Sequence, residues 1–296
     1  MLLYTHNNSK FAFSLDEVAF QGSNLKAEFS DKHVYAILGV PFDSTSTYKT
    51  GSRNGPLVIR EASYNFENYN LTLDKTLNLP IYDLGDVEIV PGNLKKTCGN
   101  VESSVQELIG QNIIPLFLGG EHSITYPVLK AMNLEDVTVI HFDAHMDMAD
   151  EYMGEKYSHA TVMRRVFDLN PQDVIQIGIR SCSLEEKIFA DKNNIKYYTP
   201  QDVHNNIKEI IEKIDEINGK IYVSIDIDVL DPSYAPFSGN PMPGGLDPFQ
   251  MESLILKISE KDIVGLDLVE VASNQLGDIT AINAAKIIYD FLCAKS

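Results

Sequence analysis

The chain has 296 residues, with 42 Asp and Glu against 24 Lys and Arg and a formal net charge of −18. That balance argues against binding to nucleic acid or to an anionic membrane. It suits a cationic substrate or metal ions, although solubility alone also accounts for it. The opening MLLYTHNNSKFAF has no basic segment ahead of an apolar run, so neither a signal peptide nor a membrane span is expected. Cys98, Cys182 and Cys293 have no metal-like spacing, and their odd number argues against a secreted disulfide framework. A cytoplasmic protein is the expectation.

In chain order, HVYAILGV at 33–40 is the first strand-like run, followed by the helical pattern NLKKTCGNVESSVQELI. NIIPLFLGG at 112–120, VTVIHF at 137–142 and VIQIGIR at 174–180 read as further strands. NNIKEIIEKIDEI is again helical, and IYVSIDI at 221–227 and DIVGLDLVEV at 262–271 close the series. Strands apolar on both faces and alternating with helices predict a mostly parallel sheet covered on both sides. No Pro/Gly/Ser-rich linker divides the chain, so residues 1–296 read as one doubly wound α/β domain.

Working groups in such sheets gather beyond the carboxyl ends of the strands. GGEHS follows PLFL, DAHMD follows VTVIHF, DID closes YVSI, and Glu270 follows GLDLV. The stretch HFDAHMDMAD is dense in ionisable groups directly after an apolar run. Asp143 and His145 are two residues apart, and alternate residues of an extended chain point the same way. Asp147 is two further on, though a bend after His145 leaves its direction open. Asp226 and Asp228 repeat the spacing, and His122 supplies an imidazole from a third strand.

A lone Asp at a strand end is more often a cap or loop residue than a ligand. Two His and four Asp together exceed what one ion needs. Crowded carboxylates resist ionisation together, and two divalent ions about 3.5–4 Å apart would relieve that and supply a bridging hydroxide. An oxygen-rich set without Cys favours Mn²⁺, with Zn²⁺ and Fe²⁺ as alternatives. His141 is expected to pack or to support the ligands.

At these residues the sequence resembles the ureohydrolase family of arginases, agmatinases and related guanidino hydrolases. GGEHS, DAHMD, SHATVMRR, SIDIDVLDPSYAP, PMPGG and GLDLVEV are similar to its motifs in its order, as are GVPFD and GSRNGPLVIREAS upstream. The resemblance implies the three-layer arginase-like fold and a trimer or hexamer. It implies one Mn²⁺ on His122, Asp143, Asp147 and Asp226, and a second on Asp143, His145, Asp226 and Asp228. Asp143 and Asp226 would bridge the two ions. Asp147 would also steady the hydroxide and pass a proton to the leaving amine. His159 would relay protons and Glu270 would receive the guanidinium.

Taken alone, His159 would read as a surface or capping histidine. Arg53 and Arg60 are assigned to structure or subunit contacts. Ala160, Met163, Phe237 and Asn240 depart from the usual agmatinase form and bear on the pocket's shape. Agmatine is the expected substrate, because the loop after DAHMD holds Asp150, Glu151 and Glu155 against Lys156 alone. Those acids would repel a substrate carboxylate, unless they simply face solvent. The alternatives are arginine, 4-guanidinobutyrate or formimidoylglutamate as substrate. More distant readings are a scaffolding protein that has lost its ligands, or a single-zinc deacetylase.

Overall fold

The computed structural model describes residues 5–6, 9–15 and 33–296. Strand β1 (Thr5–His6) precedes β2 (Val34–Val40), which is buried at every position. Helix α1 (Gly55–Ser63) has Pro56 in its first turn, where the missing N–H costs nothing. The two-residue strands β3 (Tyr69–Asn70) and β4 (Lys75–Thr76) pair with each other, apart from the main sheet. Then come β5 (Ile81–Val87), α2 (Leu94–Gly110), β6 (Ile113–Gly119), α3 (Thr125–Lys130) and β7 (Val137–Phe142). The carboxyl half adds α4 (Val162–Asp168), β8 (Asp173–Ile177), α5 (Leu184–Lys192), β9 (Lys196–Tyr198) and α6 (Pro200–Asp215). It ends with β10 (Lys220–Asp226), α7 (Pro248–Ser259), β11 (Asp262–Val269) and α8 (Ile279–Lys295).

Among the described residues, one sheet has the order β1-β5-β2-β6-β11-β10-β7-β8-β9. Edge strand β1 runs antiparallel to β5, and the other neighbours run parallel. One face packs Val58 and Ile59 of α1, Val203 and Ile210 of α6, Leu254 of α7 and Ala284 of α8. The other packs Val101 and Val105 of α2, Val128 of α3, Val166 of α4 and Ala190 of α5. Helices on both faces of a mostly parallel sheet make the three-layer, doubly wound α/β fold expected. No described helix is long and apolar enough to cross a membrane.

The expected strands omit β5, because Asp83 and Asp86 interrupt its apolar pattern. Both are buried against Arg60, which is itself fully buried. Arg60 Nε and Nη2 donate to the two oxygens of Asp83 at 2.7 and 2.9 Å, and Nη1 donates to Asp86 at 2.6 Å. The guanidinium therefore ties α1 to β5, which settles its assignment in favour of structure.

Register aligns the carboxyl ends of the four central strands. Leu268 of β11 faces Leu118 of β6, Asp226 of β10 faces Val269, and Ile225 faces Phe142 of β7. Gly120 lets the chain leave β6 tightly, since a Cβ there would fall 1.9 Å from the Phe42 carbonyl oxygen.

Candidate metal centre and cavity

That alignment brings together every residue expected at the metal centre. His122 follows β6, Asp143, His145 and Asp147 follow β7, Asp226 ends β10, and Asp228 lies in the turn after it. His122 Nδ1 faces Asp143 Oδ2 at 3.1 Å, Asp147 Oδ2 at 3.4 Å and Asp226 Oδ2 at 3.5 Å. His145 Nδ1 faces Asp228 Oδ2 at 3.1 Å and Asp143 Oδ1 at 3.4 Å. Two groups of donor atoms result, with Asp143 shared through its two oxygens. Asp226 approaches the first group through Oδ2, while its Oδ1 accepts the Asp228 N–H at 2.8 Å.

The open direction of Asp147 is settled by a left-handed turn. Its φ of 53° swings the carboxylate out of the β7 line towards His122. Glu270 has φ 64° after β11. Such conformations are unfavourable for non-glycine residues and collect at functional sites.

The donor set fits cations. Ser224 gives its only hydrogen to Asp267 at 2.7 Å, so it meets His122 Nε2 at 3.0 Å as an acceptor. In the neutral ring Nε2 then carries the hydrogen, and Nδ1, once freed of any proton, turns a lone pair towards three carboxylates. That buried Nδ1 has no hydrogen-bond partner, and a cation is what satisfies such an arrangement. His141 is supported in a similar way. Gln176 meets its Nδ1 at 2.9 Å, and its Nε2 lies 3.0 Å from Asp143 Oδ2, orienting the shared carboxylate.

By itself the chain divides protons unevenly over this cluster. Burial opposes charge on Asp143, but the imidazoles of His122, His141 and His145 gathered around it outweigh that and hold the carboxyl well below its usual range. Burial, then the charges of Asp228 and Asp143, pushes Asp226 well above that range. Burial lowers His145, yet its bonds to Asp143 and Asp228 prevail and push it up to about 12.

A cavity of about 390 Å³ opens over the cluster. Buried Glu270 lines it and accepts the His122 N–H at 2.8 Å through Oε1. Burial, then the charge of Glu121, pushes Glu270 up to about 8. His159 lines the cavity from a separate turn, with the Tyr152 ring edge-on at 5.7 Å.

The acids of the following loop behave differently from one another. Asp150 pairs with Arg165 at 2.7 Å, and neither it nor exposed Glu155 lines the cavity, whereas Glu151 does. The cavity gains two acids that sequence reasoning did not single out, Glu185 and Glu186 of α5. Glu186 is engaged by the backbone N–H groups of Met148 and Ser183 at 2.9 and 2.7 Å, which leaves Glu185 and Glu151 exposed at the mouth. Of the departures from the agmatinase form, Ala160 and Asn240 line the cavity, and Asn240 lies 3.0 Å from His145 Nε2. Met163 is core, and Phe237 does not line the cavity.

A binuclear His/Asp metal-binding cluster at the carboxyl rim of such a sheet, in a chain that the arginase-family model matches over most of its length, marks a metal-dependent amidinohydrolase acting on small guanidino-type substrates. The chain belongs to the arginase family, whose model matches residues 33–294. It is 55% identical over 285 residues to an uncharacterised 32.2 kDa protein of Methanothermus fervidus, covering 96% of this chain and 98% of that one. It is 38% identical to the N(1)-aminopropylagmatine ureohydrolase of Thermococcus kodakarensis, covering 97% of this chain and 95% of the relative. The agmatine ureohydrolase structure of Thermoplasma volcanium superposes with a TM-score of 0.85 at 34% identity, covering 98% of this chain and 95% of that one.

Proposed function

We propose that this chain hydrolyses the guanidino group of agmatine, giving putrescine and urea, with two Mn²⁺ ions as its cofactor. The observation that carries this reading is the pair of imidazole Nδ1 atoms aimed at carboxylates that share Asp143, beside Glu270 in one cavity. His122, Asp143, Asp147 and Asp226 would hold one ion, and Asp143, His145, Asp226 and Asp228 the other. When bound, such a pair lowers the pKa of water and supplies a hydroxide nucleophile at neutral pH. That supply matters because a guanidinium carbon, its charge delocalised, is a poor electrophile.

Glu270 holds the guanidinium by charge-assisted hydrogen bonds through Oε2, since Oε1 is engaged by His122. Gly239 keeps that oxygen accessible, because a Cβ there would fall 2.5 Å from it. Asp147 takes a proton on Oδ1 and passes it to the leaving amine, while His159 exchanges protons between the cavity and solvent. Glu151 and Glu185 attract the distal ammonium of agmatine and disfavour a carboxylate there. The same two acids at the mouth favour a second reading, a longer cationic guanidine such as N(1)-aminopropylagmatine. The protein is proposed to act in the cytoplasm as a trimer or hexamer, checked by mass photometry.

The test is urea release at saturating Mn²⁺ from agmatine, N(1)-aminopropylagmatine, arginine and 4-guanidinobutyrate, with formamide release from formimidoylglutamate measured alongside. The highest kcat/KM is expected for agmatine. A higher value for either carboxylate-bearing guanidine would overturn the agmatine assignment.

A further inference from the structure

His159 stands outside the metal cluster, and among the described residues one side chain, Thr45, hydrogen-bonds its ring. Its Nδ1 lies 3.1 Å from the Thr45 hydroxyl, and its backbone N–H donates to the same oxygen at 3.1 Å. Thr45 Oγ1 in turn donates to Glu121 Oε1 at 2.7 Å. Glu121 is 0% exposed, and its other contacts are donors too. The N–H groups of Ser44 and Thr45 reach Oε2 at 2.6 Å each, and the Ser123 hydroxyl reaches Oε1 at 2.5 Å.

Hydrogen counting fixes what Thr45 can offer the ring. A threonine hydroxyl has one hydrogen and two lone pairs, and an ionised carboxylate only accepts. Thr45 spends its hydrogen on Glu121, so it meets His159 Nδ1 as an acceptor. The neutral ring therefore carries its hydrogen on Nδ1, because the other tautomer would set two lone pairs against each other at 3.1 Å. Nε2 keeps its lone pair and has no protein hydrogen bond among the described residues, on a ring that lines the cavity.

We propose that Glu121 and Thr45 are positioning residues that lock His159 in the Nδ1–H tautomer and leave Nε2 as the atom that transfers protons in the cavity. This rests on the hydrolysis proposed above. Nε2 takes a proton from solvent, giving an imidazolium. Once Asp147 has protonated the leaving nitrogen and the bond to the guanidino carbon has broken, the imidazolium gives its proton to the freed neutral amine, which departs as an ammonium, and the ring returns to neutral. Nδ1–H stays on Thr45 in both states, so the tether holds through turnover. The three residues lie far apart in sequence, Glu121 beside His122 and Thr45 just after GVPFD.

The test replaces Thr45 in the Mn²⁺-loaded protein. Thr45→Val should keep wild-type metal content and an agmatine KM within about twofold, while kcat falls about 10- to 100-fold. Its crystal structure should show the His159 ring turned from its wild-type orientation. Thr45→Ser should recover most of kcat and the orientation, and Thr45→Ala serves if the valine variant does not fold. Wild-type kcat with an unmoved ring in Thr45→Val overturns the inference, as does loss of metal in step with activity that Thr45→Ser does not restore. If the wild-type chain hydrolyses no guanidino compound, the functional reading fails by itself, and the ring orientation in the two variants still decides this one.

Discussion

Asp143→Asn should empty both metal sites, because among the described residues Asp143 alone faces both His122, through Oδ2, and His145, through Oδ1. Four carboxylates, Asp143, Asp147, Asp226 and Asp228, balance two divalent ions in charge, and all four are buried. The amide leaves one positive charge uncompensated in that site. A pair of unit charges 4 Å apart is worth about 4 kcal/mol at an effective dielectric of 20. That corresponds to about a thousandfold weaker binding, felt at both sites. Asp228→Asn removes a carboxylate that contacts His145 but not His122, so only one ion should be lost. Elemental analysis after dialysis against micromolar free Mn²⁺ should give about two ions per chain for the wild type, one for Asp228→Asn and fewer than one for Asp143→Asn. Two tightly held ions in Asp143→Asn would refute the shared-carboxylate geometry.

Replacing His159 by Ala should leave metal content unchanged and lower kcat about 100-fold, with partial recovery in added imidazole; metal loss in parallel would make it a ligand instead. Metal binding should release protons and strengthen as pH rises, since His122 and His145, raised by their carboxylate partners over the opposing effect of burial, hold protons that the ions must displace. Calorimetry in buffers of different ionisation enthalpy measures that release, and pH-independent affinity would contradict it. Arg60→Met should cost about 3–5 kcal/mol by stranding buried Asp83 beside Asp86, lowering Tm by on the order of 10 °C; a thermal scan showing no change would mean the ion pairs are not what ties α1 to β5.

The sequence by itself determined the α/β class, the strands that carry the site, and the six His and Asp residues of the cluster. Those features are local, because apolar runs and i, i+2 spacing follow from the period of a strand. Strand β5 escaped that logic, since the buried Asp83 and Asp86 pair with Arg60, which arrives from α1. Asp147 took its direction from a left-handed turn that spacing does not encode. Glu185 reached the cavity from a helix remote from every motif, while Asp150, credited to the pocket from composition, was taken by Arg165. The roles of Ser224 and Thr45 were also decided in three dimensions. A hydroxyl's role depends on which partner takes its single hydrogen, and for both residues that partner, Asp267 or Glu121, lies on a distant part of the chain.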